Sequence, residues 1–273
     1  VRCFFALVPP SHHFNRSCDQ KNRLVIRSHS PFHSDVKFFD DLRVLSPPLP
    51  WHRAEIRAAP GDRIVFLHGL WRSYLAMDGV AQEFYSEGYE TVNLSYPSFT
   101  KPMEEIVARV HHELKSLPQK KTHFVTHSLG GIVVRHLARH HPELVSGRVV
   151  MVAPPSQGSE IIDWLEECPL TRIAFGPAGL SLSTTRVMAE VPQLSDTVEV
   201  GVIMGHSKKL PFFQEFLESE NDGIVSVEKG RLPKMQDFTV VEGDHTFIMN
   251  EPLVRKLAKR FLQLGHFREK LRT

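Results

Sequence analysis

Thr122-His123-Phe124-Val125-Thr126-His127-Ser128-Leu129-Gly130-Gly131-Ile132-Val133-Val134 decides the fold. Residues 122–126 read as a short strand, and from Leu129 to about His141 the apolar spacing turns helical. No loop residues separate the two. Ser128 must therefore sit on a sharp reversal between strand and helix, and Gly130 lets the helix pack closely on a strand.

Working outward, the same alternation repeats. Arg63-Ile64-Val65-Phe66-Leu67 is a buried strand ending at His68-Gly69, and Met77, Val80, Ala81 and Phe84 keep helical spacing up to Gly88. Residues 91–96 form the next strand, stopped by Pro97. Thr100 is placed to cap a helix with Pro102 in its first turn and Met103, Ile106, Val107, Val110 and Leu114 along one face. Strands follow at 148–153, 197–204 and 237–242. Asn250, with Pro252 behind it, starts a last helix carrying Leu253, Val254, Leu257, Ala258 and Phe261. Strands apolar on both faces, alternating with amphipathic helices, predict one α/β domain over residues 58–267. Its sheet is doubly wound and mostly parallel, with about six strands flanked by helices and a small insertion (residues 154–196) after the fourth. Ligands of such sheets bind outside the carboxyl ends of the strands.

Composition sets the outer bounds. The chain has 273 residues, 41% of them hydrophobic, which excludes wholesale disorder. A net charge of +2 gives no electrostatic argument for a nucleic-acid partner. Residues 1–57 carry nine basic against five acidic side chains, together with Pro47, Pro48 and Pro50, and read as a loosely ordered extension. The chain opens on Val1 and its first methionine is Met77, so a processed N-terminus or a non-AUG start is expected. Cys3, Cys18 and Cys168 make neither a metal-ligand spacing nor a disulfide framework. They favour a reducing, cytoplasmic compartment, with secretion as the alternative. The apolar run at 3–8 is short for a signal peptide, and no stretch approaches the roughly 20 apolar residues of a membrane helix.

Three residues in the order Ser…Asp…His fall on loops at one edge of the expected sheet: Ser128, Asp222 in Asn221-Asp222-Gly223, and His245 in Gly243-Asp244-His245. A bare serine hydroxyl is a poor nucleophile, so it needs a base, and the base needs an orienting carboxylate. Each residue alone has an ordinary explanation: Ser128 as an N-cap, Asp222-Gly223 as a turn. Asp244 competes for the acid role but, as the sequence neighbour of His245, is poorly placed to reach its Nδ1. His127 reads as structural and turned away from the pocket. His111-His112 and His140-His141 lie on helices without metal spacing, so no metal site and no cofactor are expected.

At these residues the chain resembles the α/β-hydrolase fold, specifically bacterial-type lipases and esterases with a His-Gly-Leu oxyanion turn. The resemblance runs from about Ile64 to Leu264. It implies that Ser128 is the nucleophile, Asp222 the acid and His245 the base, and that the backbone N–H groups of Leu70 and Leu129 hold the oxyanion. His68 would brace that turn. One departure stands out: the family's usual glycine two positions before the nucleophile is Thr126, whose Cβ crowds the elbow. The activity implied is cleavage of small-molecule or lipid carboxylic esters through an acyl-enzyme. An acyltransferase using the same intermediate and a non-catalytic binding module are the alternatives. Ile161, Trp164, Leu165 and Cys168 make an apolar stripe in the insertion, ahead of the break at Gly176, Pro177 and Gly179. That segment reads either as a small cap over an acyl pocket or as an ordinary crossover helix with a decorated loop.

Overall fold

Alternation along the strand Arg63–Leu67 (β4) divides the core in two. Val65 and Leu67 pack with the helices Met103–Lys115 (α3) and Leu129–His140 (α4) on one face of the sheet. Ile64 and Phe66 pack with Leu75–Ser86 (α2) and Pro252–Leu264 (α8) on the other. All five residues of β4 are buried, as a central strand covered on both faces requires. The computed structural model describes residues 15–18, 24–27, 34–166, 169–207, 217 and 220–268. The apolar run at 3–8 and Cys168 lie outside them.

The main sheet has seven strands. Arg53–Arg57 (β3) is the antiparallel edge, followed in space by Glu90–Ser95 (β5), β4, Thr122–His127 (β6), Val149–Val152 (β7), Val200–His206 (β8) and Asp237–Glu242 (β9). From β5 to β9 every pairing is parallel. Leu67 pairs with Leu94 on one side and Thr126 on the other, so β4, β5 and β6 end together. A separate antiparallel pair, Asn15–Cys18 (β1) with Leu24–Arg27 (β2), precedes the helix Ser34–Val44 (α1).

The helical faces expected for α2 and α3 are the buried ones: Met77, Val80, Ala81 and Phe84, then Met103, Ile106, Val107, Val110 and Leu114. The cap expected at Thr100 is not used. Pro102 occupies the N-cap position of α3 without a side-chain bond, and the Ile106 N–H donates to its carbonyl. The insertion holds three short helices, Glu160–Glu166 (α5), Pro169–Leu180 (α6, kinked at Gly176) and Thr184–Glu190 (α7). Within its expected apolar stripe Ile161 is buried but Trp164 is exposed.

Residues 1–57, expected to be loosely ordered, contribute α1 and β3. Helix α1 eluded periodicity because its polar side faces inward. Buried Asp40 receives Arg255 Nη2 at 2.5 Å, and Asp41 accepts from Asn250 Nδ2 at 2.8 Å, while Phe38 and Phe39 are 61% and 63% exposed. Gly79 on α2 leaves the space that Asp40 fills, since a Cβ there would stand 2.3 Å from its Oδ2.

Gly130 is where α4 touches β4. A Cβ on it would lie 2.3 Å from the Leu67 carbonyl oxygen, a contact that only a shift of the helix relieves. We expect Gly130→Ala to destabilise the chain by about 1–3 kcal/mol, as overpacking does. Urea denaturation checks this. A lower midpoint at unchanged slope is expected, and an unchanged midpoint contradicts the packing.

Candidate active site

Strand β6 ends at His127 and α4 begins at Leu129, which leaves Ser128 alone to reverse the chain. It does so at φ 52° and ψ −119°, a left-handed conformation that costs a non-glycine residue on the order of 1–3 kcal/mol. Its backbone is held from both sides: its N–H donates to Val152 O at 3.0 Å, and its carbonyl accepts from the Gly131 N–H at 2.9 Å. Thr126, the departure from glycine, is wholly buried with its Oγ1 3.5 Å from Val150 O, and the glycine at 131 makes room for Pro154 instead. A Cβ on Gly131 would stand 3.7 Å from Thr126 Oγ1 and only 3.0 Å from Pro154.

The other two residues arrive on loops from the carboxyl ends of β8 and β9. Asp222 is wholly buried in a tight turn. Its Oδ1 accepts from the N–H groups of Ile224 (3.0 Å) and Val225 (2.8 Å), and Gly223 completes the turn at φ 98°. That leaves Oδ2 facing His245 Nδ1 at 2.7 Å, while the His245 N–H donates to the Asp222 carbonyl at 2.9 Å. His245 Nε2 stands 2.9 Å from Ser128 Oγ. With Nδ1–H donating its hydrogen bond to the carboxylate, Nε2 carries a lone pair and accepts from the serine hydroxyl. Asp244, the competing acid, is spent elsewhere: its Oδ1 accepts from the N–H groups of Thr246 and Phe247.

His127 does not turn away from the site. Its Nε2 lies 2.8 Å from the carbonyl oxygen of His245, and the two rings are 5.1 Å apart. Neighbour to the serine in sequence, it ties the serine's strand to the backbone of the histidine loop. Burial first, then the neighbouring His245, pushes its pKa well below the ordinary histidine value, so it stays neutral and donates. Only the juxtaposition of two loops reveals this role; nothing in the local pattern signals it.

The turn after β4 covers the serine. A Cβ on Gly69 would stand 3.2 Å from Ser128 Cβ. His68 braces this turn from below: Nδ1 donates to Gly69 O at 2.8 Å, Nε2 accepts the Tyr96 N–H at 3.2 Å, and its ring stacks on Tyr96 at 4.1 Å. The Tyr96 hydroxyl donates to the His68 carbonyl, and the Trp71 N–H donates to Ser98 Oγ at 3.1 Å. The Leu70 N–H, between these engaged groups, has no protein partner among the described residues. Neither does the N–H of Leu129, the first residue of α4, whose position offers no intrahelical acceptor. Two unspent donors thus lie beside the serine on the turns that meet over it, one at the positive end of a helix.

The insertion reaches the same place. A Cβ on Gly179 would meet Leu70 Cδ2 at 3.0 Å, and the Phe175 and Trp71 rings lie 4.7 Å apart. On its other flank Ser159 Oγ donates to Ile224 O, and Ser226 Oγ donates to Glu160, which ties α5 to the Asp222 turn. No helix among the described residues is long and apolar enough to cross a membrane.

Burial pushes His68 down to about 4, from 6.5, against the bond to Gly69 that favours its proton. As pH falls below 6.5 the unfolded chain takes up this proton first. Stability is therefore full above that pH and drains towards pH 4, by up to about 1.4 kcal/mol per unit. The expected outcome is an unfolding free energy that falls more steeply between pH 6.5 and 4.5 in the wild type than in His68→Gln. Parallel slopes in urea titrations contradict it.

The model of the alpha/beta hydrolase family matches residues 64–264. The mature form of lipase BlEst2 from Bacillus licheniformis superposes with a TM-score of 0.65 at 21% identity, over 81% of this chain and 99% of that one. A carboxylesterase from the thaumarchaeon Nitrososphaera gargenis gives 0.54 at 15% identity, over 78% and 94%. The monoacylglycerol lipase of Paleococcus ferrophilus gives 0.52 at 16%, over 78% and 98%. At these identities the likeness is one of fold.

Proposed function

This chain belongs to the alpha/beta hydrolase family, and from that premise we propose that it is a serine hydrolase that cleaves carboxylic esters through an acyl-enzyme. One observation carries the reading: the unbroken line from Asp222 Oδ2 to His245 Nδ1 (2.7 Å) and from His245 Nε2 to Ser128 Oγ (2.9 Å). Ser128 Oγ attacks the ester carbonyl while His245 takes its proton at Nε2. Asp222 holds the imidazole in the required tautomer and stabilises the imidazolium. The N–H groups of Leu70 and Leu129 receive the negative charge that develops on the carbonyl oxygen. The imidazolium then returns its proton to the departing alkoxide. Water, deprotonated by His245, attacks the acyl-enzyme; as the acyl C–Oγ bond breaks the imidazolium returns that proton to Ser128 Oγ and the acid is freed.

The insertion acts as a cap on the acyl side. Its contacts with Leu70 and Trp71 support this, because they set apolar side chains beside the oxyanion turn. Esters of medium or longer acyl chains are the substrates, in keeping with the lipase and carboxylesterase names of the structural relatives. Hydrolysis of p-nitrophenyl esters tests both statements. Ser128→Ala should lose about 10⁴–10⁶-fold in turnover and Asp222→Asn on the order of 10⁴-fold. The wild type should prefer chains longer than acetyl. Near-normal turnover in Ser128→Ala would falsify the nucleophile, and a sharp optimum at acetate contradicts the cap.

A further inference from the structure

Four histidines have their ring nitrogens engaged by the fold or by the site. His68 and His127 hold backbone carbonyls, His245 is shared between Asp222 and Ser128, and His123 Nδ1 accepts the Arg148 N–H. His111 and His141 behave differently. His111 lies on the outer side of α3, and His141 directly follows α4, at its C-cap. Their rings face each other with centroids 3.6 Å apart and planes 8° from parallel. Among the described residues no hydrogen bond engages a ring nitrogen of His111, and His141 Nδ1 has only the carboxylate of Glu143, 3.8 Å away. One ligand atom from each of the three lies within 4.8 Å of the others, and all three side chains reach solvent.

We propose that His111, His141 and Glu143 form a binding site for a divalent transition-metal ion of the zinc type, which clips the end of α4 to α3. Two neutral imidazoles and a carboxylate are ligands that zinc takes readily, with water completing a four-coordinate shell. Zn–N and Zn–O bonds of about 2.0–2.2 Å hold the ligand atoms of a tetrahedral site about 3.4 Å apart. The His141–Glu143 separation of 3.8 Å closes to that value by rotation of the exposed Glu143 side chain. Parallel rings cannot both aim an in-plane lone pair at one ion, so binding swings the imidazoles out of their stack by rotation about χ1 and χ2, which their partial exposure permits. Helix α4 has 12 residues, so the clip lies about 18 Å along the helix from Ser128. It acts on the scaffold and takes no part in the ester chemistry.

This site is invisible to spacing rules. His111-His112 and His140-His141 each look like a solvated helical pair, and only the packing of α3 against α4 brings one member of each together. The neighbouring charge is Lys115, one turn on along α3, and its ammonium can swing into solvent.

The test uses the full chain, stripped of metal and titrated with zinc chloride against a chromophoric zinc chelator. The wild type should bind one equivalent with micromolar affinity that His111→Ala/His141→Ala lacks. In Glu143→Gln, which keeps both rings and alters only an exposed side chain, affinity should fall at least tenfold. Zinc at saturation should raise the melting temperature of the wild type by a few degrees and leave that of the double variant unmoved. All three proteins should hydrolyse esters equally in metal-free buffer, which shows that each is folded. Equal zinc binding by wild type and double variant, no bound equivalent at all, or an affinity unchanged by Glu143→Gln each overturns the three-ligand site.

Discussion

A serine held at φ 52° between a buried strand and a buried helix is the constraint on which the rest of this structure depends. Left to itself that residue would relax, and the hydroxyl would leave the line of the imidazole. It stays because the bonds to Val152 and Gly131 fix its backbone, and because α4 is pressed so close to β4 that Gly130 has no room for a side chain. The strain is stored locally and offset by burial of the two helix layers around the sheet. What it gains is one hydroxyl set at the tip of the central strand within reach of the imidazole, with the N-terminus of a helix behind it.

Parallel pairing then does the assembling. Because β4, β6, β7, β8 and β9 all run the same way, the loops that follow them open at one edge. The Gly69 turn, the serine, the Asp222 turn and the His245 loop are successive occupants of that edge. Cross-links hold them in register. His127 reaches the carbonyl of His245, the His245 N–H reaches the carbonyl of Asp222, and Gly69 rests against Ser128. The backbone of each functional residue is thus tied to its neighbour independently of the side-chain line, so loss of one side chain need not scatter the others.

Most of this fold is legible in the sequence. The apolar runs at β4 and β6 and the spacing in α2 and α3 are strong because those elements bury one whole face or both. The order of Ser128, Asp222 and His245, each on a loop that follows a strand, places all three at one edge. What escaped did so for physical reasons. β3 is an edge strand of five residues with only Ala54 and Ile56 apolar, and α1 buries carboxylates while showing phenylalanines to solvent, so neither has the pattern that burial normally writes. His127 is structural, as its setting suggests, but it faces the site, and local pattern cannot show this because its partner is a backbone carbonyl 118 positions away. The pairing of His111 with His141 is hidden for a different reason: only the packing of α3 against α4 brings the two rings together.

The most direct measurement is active-site labelling with a fluorophosphonate, read by peptide mass spectrometry on the intact, folded chain. The account predicts a single phosphonyl adduct on Ser128, formed rapidly in the wild type and hardly at all in His245→Ala, since the hydroxyl is reactive only while the imidazole can accept its proton. No adduct, an adduct on another serine, or labelling of Ser128 at the same rate without His245 would contradict it.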